Sequence, residues 1–193
     1  MTPRIRQHGL AAVEFAMLLP LLLFLLFVMV DGGRALQANV IMVNLSREGA
    51  NLVARGNTSL ETGSQDIIYA LMASAPPLDV NKRGMVYITR VMGTATGNVI
   101  LDQYRWNDTA RKLGYDISKY APASRVYGCN AWLVALCADI TSKNRPSSAI
   151  MQGKLDDGEV VYVVETFYKF DMLLTGSFNL PVFGPDLYSM TIF

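Results

Sequence analysis

Apolar positions are spread unevenly along this chain, and their period changes as it proceeds. From Leu10 to Val30 the sequence reads LAAVEFAMLLPLLLFLLFVMV, with Glu14 as its one charge. As a helix this run extends roughly 31 Å, which matches a hydrocarbon core. From Ala35 to Ala54 the pattern is again helical, with Leu36, Val40, Val43, Ala50 and Ala54 on one stripe and Arg47 intruding. Pro20 predicts a kink, Gly32-Gly33 a loosening, and Gly56-Asn57 a stop. A near-continuous helix over Leu10–Ala54 would run about 68 Å. Two independent helices satisfy the same pattern.

A second helix is predicted over Gln65–Ser74, with Ile68, Leu71, Met72 and Ala75 on one side and Pro76-Pro77 at its end. The period then shortens to two. Met85–Met92 and Val99–Trp106 read as strands flanking the turn-like Gly97-Asn98. Asp157-Gly158 makes a tight turn into Glu159–Phe170 (EVVYVVETFYKF), the strongest strand signal in the chain. Leu187–Phe193 alternates, placing Tyr188, Met190 and Ile192 on one face. Helices first and strands afterwards predict an α+β fold, with an antiparallel sheet packed on the helices.

Between Asn107 and Ser148 the periodicity is lost. The segment near 107–150 reads as an irregular insertion or long loop on the head. It holds Cys129 and Cys137, eight positions apart. On one continuous helix they would lie about 12 Å apart and could not bond. In a loop or hairpin they form a disulfide, provided the compartment is oxidising. The alternative is two buried free thiols, since AWLVALC also suits a short core helix. Arg111, Lys112, Tyr115, Lys119, Tyr120, Arg125, Tyr127 and Trp132 interleave cations with aromatics here. That mixture occurs in nucleic-acid grooves. A solvated loop whose aromatics pack on the head is the plainer reading, and a protein-contact surface is close to it.

Composition narrows the chemistry. Of 193 residues 51% are hydrophobic and 17% charged, with a net charge of +1. No basic run points to nucleic acid. The one histidine, His8, precedes the apolar run, so it and two distant cysteines supply neither a zinc site nor a histidine triad. No phosphate loop or nucleophile elbow occurs. Asp156-Asp157 reads as a solvated turn, with a calcium site as the lesser alternative. The expectation is no enzyme, no cofactor and no metal.

Topology follows from the flanks. Arg4 and Arg6 precede the apolar run, and no acid stands before Glu14. The basic end stays in the cytoplasm and the C-terminal bulk crosses. The apolar core is long for a secretory signal, and no small-x-small cleavage site precedes Asp31. Glu14 is the anomaly, because a carboxylate inside an apolar span costs about 2.5–3.5 kcal/mol and usually has a partner. A protonated or snorkelling side chain is the plain account. Cleavage between Gly9 and Leu10 would instead create an α-amine one helical turn from Glu14, on the same face. That amine, or a neighbouring subunit's, could pair with Glu14 and drive docking.

A short basic leader ending in Gly9, with Glu at the fifth position beyond it, resembles the type IV prepilin processing motif. GLAAVEFAMLLPLLLFLLFVMVDGGR is similar to the TadE/TadF-like minor pilins (pseudopilins) of the tight adherence (Tad) pilus, at Gly9, Glu14, Phe15, Pro20 and Arg34. The resemblance is strong over Gly9–Arg34 and thin beyond the following helix. It implies processing at Gly9 and Leu10 by a prepilin peptidase, and assembly through Glu14 and Phe15. It also implies a pilin-like fold, in which a long transmembrane helix continues into a periplasmic head. Residues 1–9 would be a cytoplasmic leader, 10–31 the span and 32–193 the head. The implied partners are that peptidase, other major and minor pilins and the inner-membrane assembly platform. The implied location is the bacterial inner membrane, with entry into an extracellular pilus to follow. The large C-terminal part argues against the major subunit. The competing reading is an uncleaved, single-pass sensory or adhesive protein that keeps Met1–Gly9 and does not need Glu14.

Overall fold

A computed structural model describes residues 10–55, 60–107, 120–173 and 186–193. It shows a long apolar N-terminal helix, a second shorter helix and an antiparallel sheet, hence an α+β fold. The chain divides into two compact units. One comprises Met1–Gln37 with Asp171–Gly184, the other Ala38–Phe170 with Pro185–Phe193.

Helix α1 runs unbroken over Leu10–Arg55, through Pro20 and through Gly32-Gly33. The expected loosening at the glycine pair is not a break, and the two-helix alternative does not hold. In the first unit the large apolar side chains from Val13 to Val30 are exposed. The helix is long and apolar enough to cross a membrane. At the end of the apolar run Asp31 is buried. Its Oδ1 accepts a hydrogen bond from the Arg34 guanidinium at 3.0 Å and another from the Leu173 N–H at 3.0 Å.

In the second unit α1 presents Ala38, Met42, Leu45, Ser46, Gly49, Ala50 and Val53 to the interior. This is a true helical stripe, but not the predicted one. Leu36 is 71% and Val40 59% exposed, and Ala54 is also exposed. The physical reason is close approach. A Cβ on Gly49 would lie 2.8 Å from Leu71 Cδ1 and 3.1 Å from Val164 Cγ1, so the contact face is built from small residues that hydrophobicity does not single out. Ser46 adds a polar knot. Its Oγ lies 2.9 Å from both Ser189 Oγ and Thr191 Oγ1, so a buried hydroxyl meets its hydrogen-bonding needs on the strand opposite.

Helix α2 covers Leu60–Ala73 and starts earlier than predicted. Ile68, Leu71, Met72 and Ala75 are buried as their spacing requires. A short helix, α3, spans Val80–Arg83. The strands are β1 (Gly84–Thr94), β2 (Gly97–Arg105), β3 (Trp132–Leu133), β4 (Leu136–Cys137), β5 (Ser147–Ser148), β6 (Val160–Lys169) and β7 (Asp186–Ile192). All pairings are antiparallel, in the order β3-β4-β2-β1-β6-β7, with β5 also on β2. The four long strands match the four predicted runs to within two residues at each end. Asp157-Gly158 does form a turn, with Gly158 at φ 83° and the Glu159 N–H bonded to the Asp156 carbonyl.

The sheet is covered on both faces. Thr166, Val164, Ser189 and Thr191 meet α1. On the other face Val91, Ile100, Val161 and Val163 form a second core with Cys137 and Ile140, and Val126, Tyr127, Trp132 and Ile150 pack against it. Of the segment read as an irregular insertion near 107–150, the described part, 120–150, is largely irregular; its three short strands pair at the β2 edge of the sheet, and Val126, Tyr127, Trp132 and Ile150 lie over this face. AWLVALC is a hairpin rather than a core helix. The short strands escaped the periodicity test because they are two residues long, and pattern needs length to register.

Candidate functional site

Two places carry unusual chemistry: the start of α1 and the covered face of the sheet. Gly9, together with the rest of residues 1–9, lies outside the described residues. Leu10 is the first residue of α1, so Glu14 follows it by one turn of continuous helix. Glu14 is exposed, and Phe15 beside it is 59% exposed. Among the described residues no cation lies within ion-pair distance of Glu14. The helix therefore projects one carboxylate from an otherwise apolar surface. At the far end of the run, Asp31 and Arg34 supply the next charges.

Residues 9–51 match the family model described as TadE-like protein. The chain is therefore similar to TadE-like protein over most of α1. The TadE-like segment takes in Glu14, Phe15, Pro20, Asp31 and Arg34, and stops just short of the end of α1. It leaves out α2 and the whole sheet. No curated protein and no solved structure matches the chain.

Outside the TadE-like segment, sequence reasoning missed a fully buried, multiply bonded carboxylate. Glu165, on β6, is fully buried. Its Oε1 accepts hydrogen bonds from the Arg125 backbone N–H at 2.9 Å and the Tyr188 hydroxyl at 3.0 Å, and its Oε2 accepts from the Ser124 hydroxyl. Ser124 Oγ in turn accepts from Gln103 Nε2 at 2.9 Å and from the Val126 and Tyr127 N–H groups. One carboxylate thus ties the 124–127 strap to the sheet through side chains, where no β-ladder holds it. The signal was available: Glu165 stands alone in the apolar run VVYVVETF, and an acid inside a buried strand needs partners.

An aromatic row crosses the same face. Trp132 and Tyr87 have ring centroids 5.9 Å apart, Tyr87 and Phe167 5.8 Å, and Phe167 and Tyr188 4.8 Å. Arg105 lies over Trp132 at one end, at 4.4 Å, and Arg125 over Tyr188 at the other, at 3.8 Å. Trp132 and Arg125, from residues 120–150, therefore engage rings and a cation of the long strands, in keeping with aromatics that pack on the sheet. Arg111, Lys112, Tyr115 and Lys119 lie outside the described residues.

Burial and charge act on these phenols. Burial pushes the Tyr87 hydroxyl up to about 12; nearby Arg105 opposes the rise and the Glu165 charge adds to it. Tyr188 is raised by burial and then by Glu165, and Tyr120 by burial and then by Asp186. A phenol whose pKa is raised on folding contributes stability that is complete below its unfolded value and lost as pH climbs through the folded one. Denaturant midpoints should therefore hold up to the ordinary phenol value of 10.0 and fall as pH rises towards 12. Tyrosinate absorbance should lag behind that of the unfolded chain over the same window.

Cys129 and Cys137 are joined by a disulfide, with Cα atoms 6.0 Å apart. Asp139 stands close to both sulfurs. Its Oδ2 accepts hydrogen bonds from the Asn130 N–H at 2.7 Å and the Ala131 N–H at 3.3 Å, which closes the base of the hairpin. With both sulfurs bonded to each other, these three residues act as a staple rather than a ligand set. Cys129→Ser should lower unfolding stability by about 2–3 kcal/mol, the loop-closure value for so short a ring. Denaturant titration with and without reductant checks this, since reductant should affect only the wild type.

Proposed function

We infer that this chain is a minor pilin or pseudopilin of a Tad-type pilus, made with a cytoplasmic leader over residues 1–9 and cut between Gly9 and Leu10 by a prepilin peptidase. The observation that carries this reading is the TadE-like match over 9–51, on a helix whose exposed surface over residues 12–30 is apolar apart from Glu14. Residues 10–31 then span the bacterial inner membrane, and 32–193 form a periplasmic head, an oxidising setting in which Cys129–Cys137 persists. The role is structural, without catalysis of its own. Its partners are the peptidase, other major and minor pilins and the inner-membrane assembly platform, and entry into the extracellular pilus follows processing. Cleavage leaves an α-amine on Leu10, one turn from Glu14, so each subunit carries both halves of a docking pair.

Intact mass of the chain from host membranes, with and without the peptidase, tests this. A chain beginning at Leu10 only when the peptidase is present is the expected result. A chain beginning at Met1 in both strains overturns it, and leaves an uncleaved anchored binding protein as the account.

A further inference from the structure

One element at the β2 edge of the sheet carries exposed chemistry that its packing does not explain. The β3–β4 hairpin turns at Val134-Ala135, and both Val134 and the preceding Leu133 are largely exposed, at 64% and 69%. Val134 also has φ 59°. A β-branched residue rarely adopts this left-handed conformation, which glycine or asparagine would fill without strain. Such a conformation persists only where its surroundings over-determine it. Here they do. The Cys129–Cys137 disulfide and Asp139 close the base. The Arg105 N–H bonds the Ala135 carbonyl at 2.9 Å, Asn107 Nδ2 bonds the Val134 carbonyl at 2.9 Å, and Trp132 is fixed between Arg105 and Tyr87. A rigid, stapled turn therefore holds two apolar side chains out in water, one of them at the cost of backbone strain.

The size of the tip selects its occupant. A stable protein pair buries about 1,200–2,000 Å² in total, and two side chains supply only a small fraction of that. A bilayer demands far less, because a chain already held by a spanning helix keeps its head at high effective concentration near the surface. The chemistry behind the tip suits that surface as well: Trp132 with Arg105 over its ring pairs an interfacial aromatic with a phosphate-binding cation. Connectivity agrees. The antiparallel registers put the C-terminal end of β2, which carries the hairpin, at the same end of the sheet as the C-terminal end of β6. Within the same unit α1 starts from that end, since Met42 meets Thr166 and Gly49, two turns on, meets Val164 farther back along β6.

We propose that the stapled hairpin is a second membrane contact, with Leu133 and Val134 entering the headgroup and upper acyl region of the bilayer. This rests on the anchored reading of the chain. The full chain carrying Leu133→Trp, reconstituted in anionic phospholipid vesicles with brominated acyl chains, tests it. The added tryptophan should be quenched severalfold more by brominated lipid than the native fluorescence, and less by aqueous iodide. Val134→Gly, which suits the left-handed backbone and keeps the disulfide, should reduce that quenching while leaving the melting curve in place. If the chain fails to float with the vesicles, the anchored reading and the hairpin contact fall together. If it floats but the reporter is quenched only from water, or only a protein crosslinks to the tip, the hairpin contact alone is overturned.

Discussion

Glu165→Ala should lower the unfolding free energy of the purified full chain by about 4 kcal/mol, a large fraction of the roughly 5–15 kcal/mol that a domain has. The carboxylate is fully buried and accepts from Ser124, Arg125 and Tyr188. Removing it leaves three donors without their acceptor in a water-excluded site, each at a cost of about 1–3 kcal/mol, partly recovered where Ser124 can turn elsewhere. The truncated side chain also leaves a cavity beside the second core. Glu165→Gln keeps the volume and one acceptor oxygen but points an amide N–H₂ at donors, so its loss should be smaller. Denaturant titration gives the magnitudes. Limited proteolysis gives the location, since cleavage should appear first within 122–128, the strap that the carboxylate holds. A midpoint for Glu165→Ala equal to wild type would show that the strap is held by its apolar contacts alone.

The second large effect concerns assembly rather than folding. Glu14→Ala should leave the stability of residues 38–193 unchanged and favour membrane insertion while removing the subunit from fibres. Insertion becomes easier, because a carboxylate in an apolar span costs about 2.5–3.5 kcal/mol and alanine does not. On the pilin reading proposed above, docking loses its drive, because pairing with a neighbouring Leu10 amine would relieve that same cost. Glu14→Gln keeps hydrogen bonding without charge and should assemble poorly. Immunoblots of sheared pili and washed membranes measure the partition. Wild-type recovery of the alanine variant in fibres would refute a docking role for Glu14. Phe15, exposed next to it, adds apolar surface to the same end of the helix.

Much of this protein is determined by local pattern, which the sequence reveals without a structure. The apolar run from Leu10 needs only its own composition to become a membrane-length helix, and Glu14 is conspicuous there because nothing nearby resembles it. The four long strands and the Asp157-Gly158 turn are likewise local: runs of seven or more residues rich in β-branched and aromatic side chains, and one glycine with positive φ, specify them. Tertiary structure decided the rest. The buried face of α1 uses Ser46 and Gly49 in preference to Leu36 and Val40, because close packing on Val164 and Leu71 rewards small size, which hydropathy does not measure. Residues 120–150, irregular for most of their length, are held on the sheet by long-range groups: Glu165 reaching Ser124 and Arg125, Trp132 stacked in the aromatic row, and two cysteines joined across a hairpin. Such contacts link residues far apart in the chain, and no periodicity records them.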